Sequence, residues 1–213
     1  MKRLISLLIL IAAVAVSATA ARPIAKHVVL IGLDGWGAYS YENADMPNVK
    51  RLAAEGAYTL TKRSVLPSSS AVNWASMFMG AGPEIHGYTE WGSKTPELPS
   101  RELSHYGIFP SIWGLFRDAY PNAEMGYIYE WGGMQYFVEM SAFNFTKQVS
   151  ASEENPRGIT DAAVDYIRSS KPAFVGIIYD RPDHEGHTFG HGSPEYYQTL
   201  AQLDRYIGEI IKA

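Results

Sequence analysis

The chain has 213 residues, no cysteine, and 18 basic against 22 acidic side chains, for a formal net charge of −4. That length suits one domain with a real core. The mildly acidic balance, without any Lys/Arg run, argues against a nucleic-acid partner, and the absence of thiols excludes disulfides and cysteine chemistry.

Lys2 and Arg3 precede an apolar run from Leu4 to Val16, and Ala18-Thr19-Ala20 offers small residues at a cleavage position. The pattern predicts a secretory signal peptide over residues 1–20, because the run is shorter than the roughly 20 residues of a membrane span. Residues 21–213 are then an exported unit, periplasmic or extracellular, with no transmembrane segment left after cleavage.

His27 to Leu33 is a short, continuous apolar run, as in a strand buried on both faces of a parallel sheet. It ends in Asp34-Gly35-Trp36-Gly37, a carboxylate where α/β sheets place ligand groups, although an Asx-turn looks the same. Met46 to Gly56 reads as a helix with Val49, Leu52 and Ala53 on one face and Gly56 as its C-cap. Ala57 to Leu66 is expected to be a second strand, leading into Pro67-Ser68-Ser69-Ser70. A serine at a helix start faces unpaired N–H groups and the positive end of the helix dipole, which suits a phosphate or an alkoxide. Ser70 and Asn73 are three apart and share a face. Alone, this is also how an N-cap serine on a buried helix looks.

Gly80 to Gly87 reads as a turn in which His86 is structural. Tyr88 to Gly107 has no period but carries Tyr88, Trp91, Tyr106 and two prolines, the makings of a lid or binding loop. Pro110 to Ala119 is expected to be a helix with Ile112, Leu115 and Phe116 inward, and Ala123 to Tyr129 a third strand. Nothing regular is legible from Gln135 to Asn155. A helix over Gly158 to Ser169 and a strand over Ala173 to Tyr179 follow. Ser193-Pro194-Glu195 opens a last helix with Leu200, Leu203, Ile207 and Ile210 as its buried stripe. The alternation predicts an α/β fold, a mostly parallel central sheet with helices on both faces.

Asp183 to His191 packs two acids and three histidines among glycines, directly after the fourth strand. Asp183 and His187 are four apart, so one helical turn or a compact loop brings both to one ion, with Gly186 allowing a tight turn. Aspartate and neutral histidine are ordinary ligands for zinc and similar ions. His184, Glu185 and His191 are weaker candidates. Asp34, Ser70 and the Asp183/His187 pair each follow a predicted strand, and in a parallel sheet those ends lie on one edge. Together they outline a two-metal phosphoryl-transfer site.

These motifs resemble the alkaline phosphatase superfamily, on its nucleotide pyrophosphatase/phosphodiesterase side. Val29 to Gly35 resembles the first metal motif, and Met46 to Gly56 is similar to the helix after it. Pro67 to Asn73 resembles the nucleophile motif, Gly80 to Gly87 the turn behind it, and Pro182-Asp183-His184-Glu185-Gly186-His187 the Pro-Asp-x-x-Gly-His motif. The resemblance implies a metal-dependent hydrolase of small phosphate esters. Asp34 and Ser70 would bind one divalent ion, zinc by analogy, with Ser70 as the nucleophile of a phosphoserine step. Asp183 and His187 would bind a second, and Asn73 would donate to a phosphoryl oxygen. It also implies an Asp-His pair and a further histidine beyond the last helix. The chain stops at Ala213 before any such residues, so it reads as the N-terminal part of a longer gene, expected to bind zinc weakly and turn over little by itself. A sulfatase is the nearest rival, but no Cys/Ser-x-Pro-x-Arg frame is present. A phosphoglycerol or phosphoethanolamine transferase, and a non-catalytic envelope protein keeping the fold, are the other readings.

Overall fold

A computed structural model describes residues 25–150 and 155–213; the expected signal peptide lies outside the described residues. Four strands form one sheet: β1 (Val28–Leu33), β2 (Met125–Tyr129), β3 (Phe145–Gln148) and β4 (Phe174–Tyr179). Their order is β1-β4-β2-β3 and every pair is parallel. The helices are α1 (Pro47–Glu55), α2 (Ser70–Met79), α3 (Pro83–His86), α4 (Ile112–Ala119), α5 (Gly158–Ser170), α6 (Asp183–Phe189) and α7 (Pro194–Lys212).

The two-residue period of a strand divides the core in two. Tyr127, Tyr129, Phe174 and Ile178 face Trp74 and Phe78 of α2 and Trp113 of α4. Ile128, Val175, Ile177 and Tyr179 face Ile159 and Tyr166 of α5 and Leu203 and Ile210 of α7. Every residue of β2 and β4 is therefore buried, which is why both read as unbroken apolar runs. Helices cover both faces, as expected. At the margin α1 lies on α7, where the buried Asp204 carboxylate accepts from Asn48 N (3.1 Å), Val49 N (2.9 Å) and Asn48 Nδ2 (2.9 Å). These bonds compensate the buried charge and cap an α1 that has no side-chain cap of its own.

Several expectations fail for identifiable reasons. Ala57 to Leu66 is not a strand: it runs almost wholly exposed across the surface, paired with no strand. It is tied to the helix behind it at Val65, whose N donates to Asn73 Oδ1 (2.9 Å) and whose O accepts from Asn73 Nδ2 (3.5 Å). β1 is not buried on both faces, because it is an edge strand whose Val28 and Val29 remain exposed. In α4, Ile112 and Leu115 point outward, Leu115 being 58% exposed. Glu139 accepts from Ser111 N and Gly114 N, and this fixes the helix with Trp113 inward, stacked on Phe174 at 4.3 Å. Gly56 is the C-cap of α1 as expected, at φ −129° rather than in the left-handed conformation. The short β3 was illegible because it is a half-exposed edge strand. His86 is structural as read: it is fully buried, with Tyr88 N donating to Nδ1 (3.1 Å) and Nε2 bonded to Ser76 Oγ (2.8 Å).

Candidate active site

The carboxyl ends of β1 and β4 lie side by side, with Leu33 opposite Tyr179 and Asp34 N donating to Tyr179 O (3.0 Å). Parallel pairing thus brings the loop after β1 against the loop after β4. Gly35 is the point of contact. Its φ of +72° is a left-handed conformation, and a Cβ there would fall 2.5 Å from Asp183 Cα. Only glycine lets the Asp34 turn close on Asp183.

Tyr196 of α7 fixes that turn from below. Its buried hydroxyl donates to Gly35 O (3.0 Å) and accepts from Gly37 N (3.1 Å). Behind β4, the buried Glu130 accepts from Asp180 N (2.8 Å) and pairs with Arg181 (3.5 Å), holding the chain as it enters α6. In α6 Asp183 and His187 are one turn apart, and His187 Nε2 stands 3.4 Å from Asp183 Oδ2. Gly186 sits inside this helix rather than in a tight turn. What it supplies is room, because a Cβ there would meet the His191 ring at 2.6 Å.

Ser70 is the first residue of α2, after Ser69 in extended conformation. The Asn73 amide is engaged with the main chain. Nδ2 donates to Ser69 O (3.0 Å) and, at long range, to Val65 O (3.5 Å), while Oδ1 accepts from Val65 N. Asn73 therefore ties the incoming segment to the helix that carries Ser70.

One open cavity of about 800 Å³ is lined by Asp34, Ser70, Asn73, Asp183 and His187 together. All five residues singled out from sequence share it. His191 lines it too, bonded to the Tyr39 hydroxyl at Nδ1 (3.1 Å). Its wall does not include His184 or Glu185, and Glu185 lines a separate groove beside α7. Lys62 and Trp91 complete the wall. Trp91 belongs to the loop expected to act as a lid, and it stacks on Trp131 at 6.0 Å. Lys62 was missed: its only signal was a basic side chain shortly before the serines.

Burial pushes the Asp34 carboxyl up to about 6; the neighbouring Trp74 and Ser70 donors pull it back, and the Asp183 and Asp180 charges push it further. Asp180 is raised for the same reasons, burial first and Asp183 second. Acids crowded at one rim with too little countercharge are characteristic of a place that receives a cation. Among the described residues, no group of three or more His, Cys, Asp or Glu side chains is gathered to hold an ion. The donors present come in twos, Asp34 with Ser70 and Asp183 with His187. Their chemical kind, oxygen with oxygen and oxygen with imidazole, fits zinc and similar ions.

The model of the family described as type I phosphodiesterase / nucleotide pyrophosphatase matches residues 28–213. Venom phosphodiesterase 2 of Crotalus adamanteus is 25% identical over 194 residues, covering 87% of this chain and 24% of that protein. Human ectonucleotide pyrophosphatase/phosphodiesterase family member 1 is 23% identical over 193 residues, covering 86% and 21%. Among solved structures, murine ectonucleotide pyrophosphatase/phosphodiesterase 5 superposes with a TM-score of 0.66 at 19% identity, over 88% of this chain and 52% of that one. Phosphonoacetate hydrolase from Sinorhizobium meliloti gives 0.63 at 19%, over 87% and 53%. The chain spans about a quarter of the length of the curated relatives it matches. With its parallel α/β sheet and its motifs in order, the chain belongs to the type I phosphodiesterase/nucleotide pyrophosphatase family, on that side of the alkaline phosphatase superfamily.

Proposed function

We propose that the protein hydrolyses phosphate esters, phosphodiesters first, through a phosphoserine on Ser70, and that it does so as an exported, metal-dependent enzyme. The observation that carries this reading is the convergence of Ser70, Asp34, Asp183 and His187 on one cavity at the carboxyl edge of a parallel sheet. The relatives are named phosphodiesterases and pyrophosphatases. The murine structure holds AMP, and the hydrolase holds phosphonoacetate in one of its structures. Among the described residues no helix is long and apolar enough to cross a membrane.

In this reading Asp34 and Ser70 hold one divalent cation and Asp183 and His187 a second. Such cations lower the pKa of a bound hydroxyl and neutralise charge on a phosphoryl group. Ser70, at the start of α2, is aimed by the Asn73 bonds that fix the turn before it. Its oxygen attacks phosphorus as the ester oxygen opposite departs, and water then cleaves the phosphoserine. First-turn N–H groups of α2, which have no intrahelical partners, and the Asn73 hydrogen that makes only the long contact to Val65 are donors for the phosphoryl oxygens. Trp91 closes one side.

The test is an assay of the intact protein on bis-nitrophenyl phosphate, nitrophenyl phosphate and nitrophenyl sulfate, with and without chelator. The expected result is diester turnover that chelation abolishes and zinc restores. Preferred turnover of the sulfate, or turnover indifferent to chelation, overturns the reading.

A further inference from the structure

We propose that His191 is a catalytic residue of this site: its Nε2–H donates a hydrogen bond to the departing ester oxygen, and the Tyr39 hydroxyl aims the ring. The inference rests on the phosphodiesterase reading and adds a substrate contact to the same site.

His191 lies on the short loop between α6 and α7 and lines the catalytic cavity beside His187, with ring centroids 6.5 Å apart. It is exposed, yet its neighbours hold it in place. Gly190 at φ +95° and Gly192 at φ +85° flank it in conformations that residues with side chains rarely adopt. The Cε1 edge of the ring packs on Gly186, where a Cβ would come within 2.6 Å of Cε1, 2.7 Å of Nε2 and 3.0 Å of Nδ1. Tyr196 backs the ring at 5.4 Å, and the hydroxyl of the same tyrosine holds the Asp34 turn through Gly35 and Gly37. Tyr39, stacked on Tyr196 with centroids 6.2 Å apart, brings its hydroxyl to 3.1 Å from His191 Nδ1. The imidazole is thus tied to the turn that carries Asp34.

The Tyr39 bond decides which nitrogen serves the cavity. A phenol keeps its proton at neutral pH, and Nδ1 is the one acceptor the Tyr39 hydroxyl meets among the described residues. With Nδ1 accepting, a neutral imidazole carries its hydrogen on Nε2. Among the described residues Nε2 has no hydrogen-bond partner. The other donors on the wall point to what that hydrogen meets. Asn73 is engaged with the main chain. Lys62 stands toward a second, apolar cavity between α1 and segment 57–62, whose wall it shares. His191 stands beside the Asp183/His187 pair, whereas Ser70 attacks from the pair it forms with Asp34. An oxygen leaving opposite Ser70 therefore departs toward the half that holds His187 and His191. A donor already in place there stabilises the negative charge growing on that oxygen more than it does the uncharged ester oxygen.

The experiment compares methyl phenyl phosphate with methyl nitrophenyl phosphate on the intact protein, reading release of the phenol. Phenoxide is the stronger base and needs the donor more than nitrophenoxide does. His191→Ala should lower kcat/KM by about a hundredfold for the phenyl ester and about tenfold for the nitrophenyl ester. His191→Gln, which restores an N–H donor, should narrow that difference to about threefold, and Tyr39→Phe should produce one of about threefold. Both positions are exposed, so folding survives. Equal losses on the two esters would make His191 a mere support of the wall and overturn the inference, and so would losses under about twofold. If the parent turns over neither ester, the phosphodiesterase reading fails, and calorimetry with inorganic phosphate judges the contact. Phosphate should then bind the parent about tenfold tighter than His191→Ala. Equal affinities, or no binding to the parent, overturn the contact.

Discussion

The two halves of the site are built differently. The Asp34/Ser70 half is enclosed: Asp34 is pressed among Trp74, Ser70 and the turn that Tyr196 holds, and its carboxyl is pushed upward by burial. In the Asp183/His187 half the Asp183 side chain is 26% exposed and that of His187 77%, on a seven-residue helix. The first half stores electrostatic cost in the empty fold. In the second, the His187 imidazole is the most exposed of the four groups and stands 3.4 Å from Asp183 Oδ2. On the proposed mechanism, catalytic tuning would belong to the first half and capture to the second.

The sharpest way to test this division is Ser70→Ala. It should lower phosphodiester kcat in the intact protein by about a thousandfold or more with an unchanged melting temperature. A loss under tenfold would remove Ser70 as the nucleophile.

Asp34→Asn probes the stored cost. In the metal-free protein the folded carboxyl keeps its proton up to about pH 6, while the unfolded one releases it near 3.8. Between these values the folded state binds more protons, so stability falls as pH rises through the window and stays lowered above it. A displacement of that size corresponds to about 3 kcal/mol. Asp34→Asn should be more stable than the parent by up to this amount at pH 8 and equal to it below pH 4. Urea titrations at the two pH values check it, and a parental curve flat between pH 4 and 6 refutes it.

Gly35→Ala attacks the joint between the halves. The positive φ and the contact with Asp183 backbone predict a loss of about 2 kcal/mol or more. Activity should fall with it, as thermal melts and diester assays would show. An unchanged melt means that the joint yields freely.

His187→Ala should change stability by no more than about 0.5 kcal/mol, because the imidazole it removes is exposed. It should nonetheless cancel the rise in melting temperature that the proposed zinc binding would give the parent. A zinc-induced rise that persists would take His187 out of the ligand set.

The legible parts of the fold were those whose physics is local. β2 and β4 were readable because burial on both sides demands unbroken apolar runs, and α7 because its cap, first-turn proline and stripe lie within one helix. The same apolar signal misled at β1, which has a neighbour on one side only, and at 57–66, where no strand lies alongside to accept the ladder bonds. In α4 the pattern of Ile112 and Leu115 lost to the stack of Trp113 on Phe174 and to the Glu139 bonds, partners far along the chain. Asn73 was legible as a neighbour of Ser70, but its bonds to Val65 depend on where the preceding segment lies. Lys62 and Tyr196 enter the site by folding alone, with no spacing to announce them.

By itself the sequence determined which chemical groups are available and that strands deliver them, because side-chain type and short-range periodicity are written residue by residue. Only the tertiary structure decided that Gly35 closes on Asp183, that Asp34 is half-buried while His187 is exposed, and that a second, apolar cavity opens beside the first. Those depend on distances between segments as much as 161 residues apart, which packing sets and no local pattern encodes.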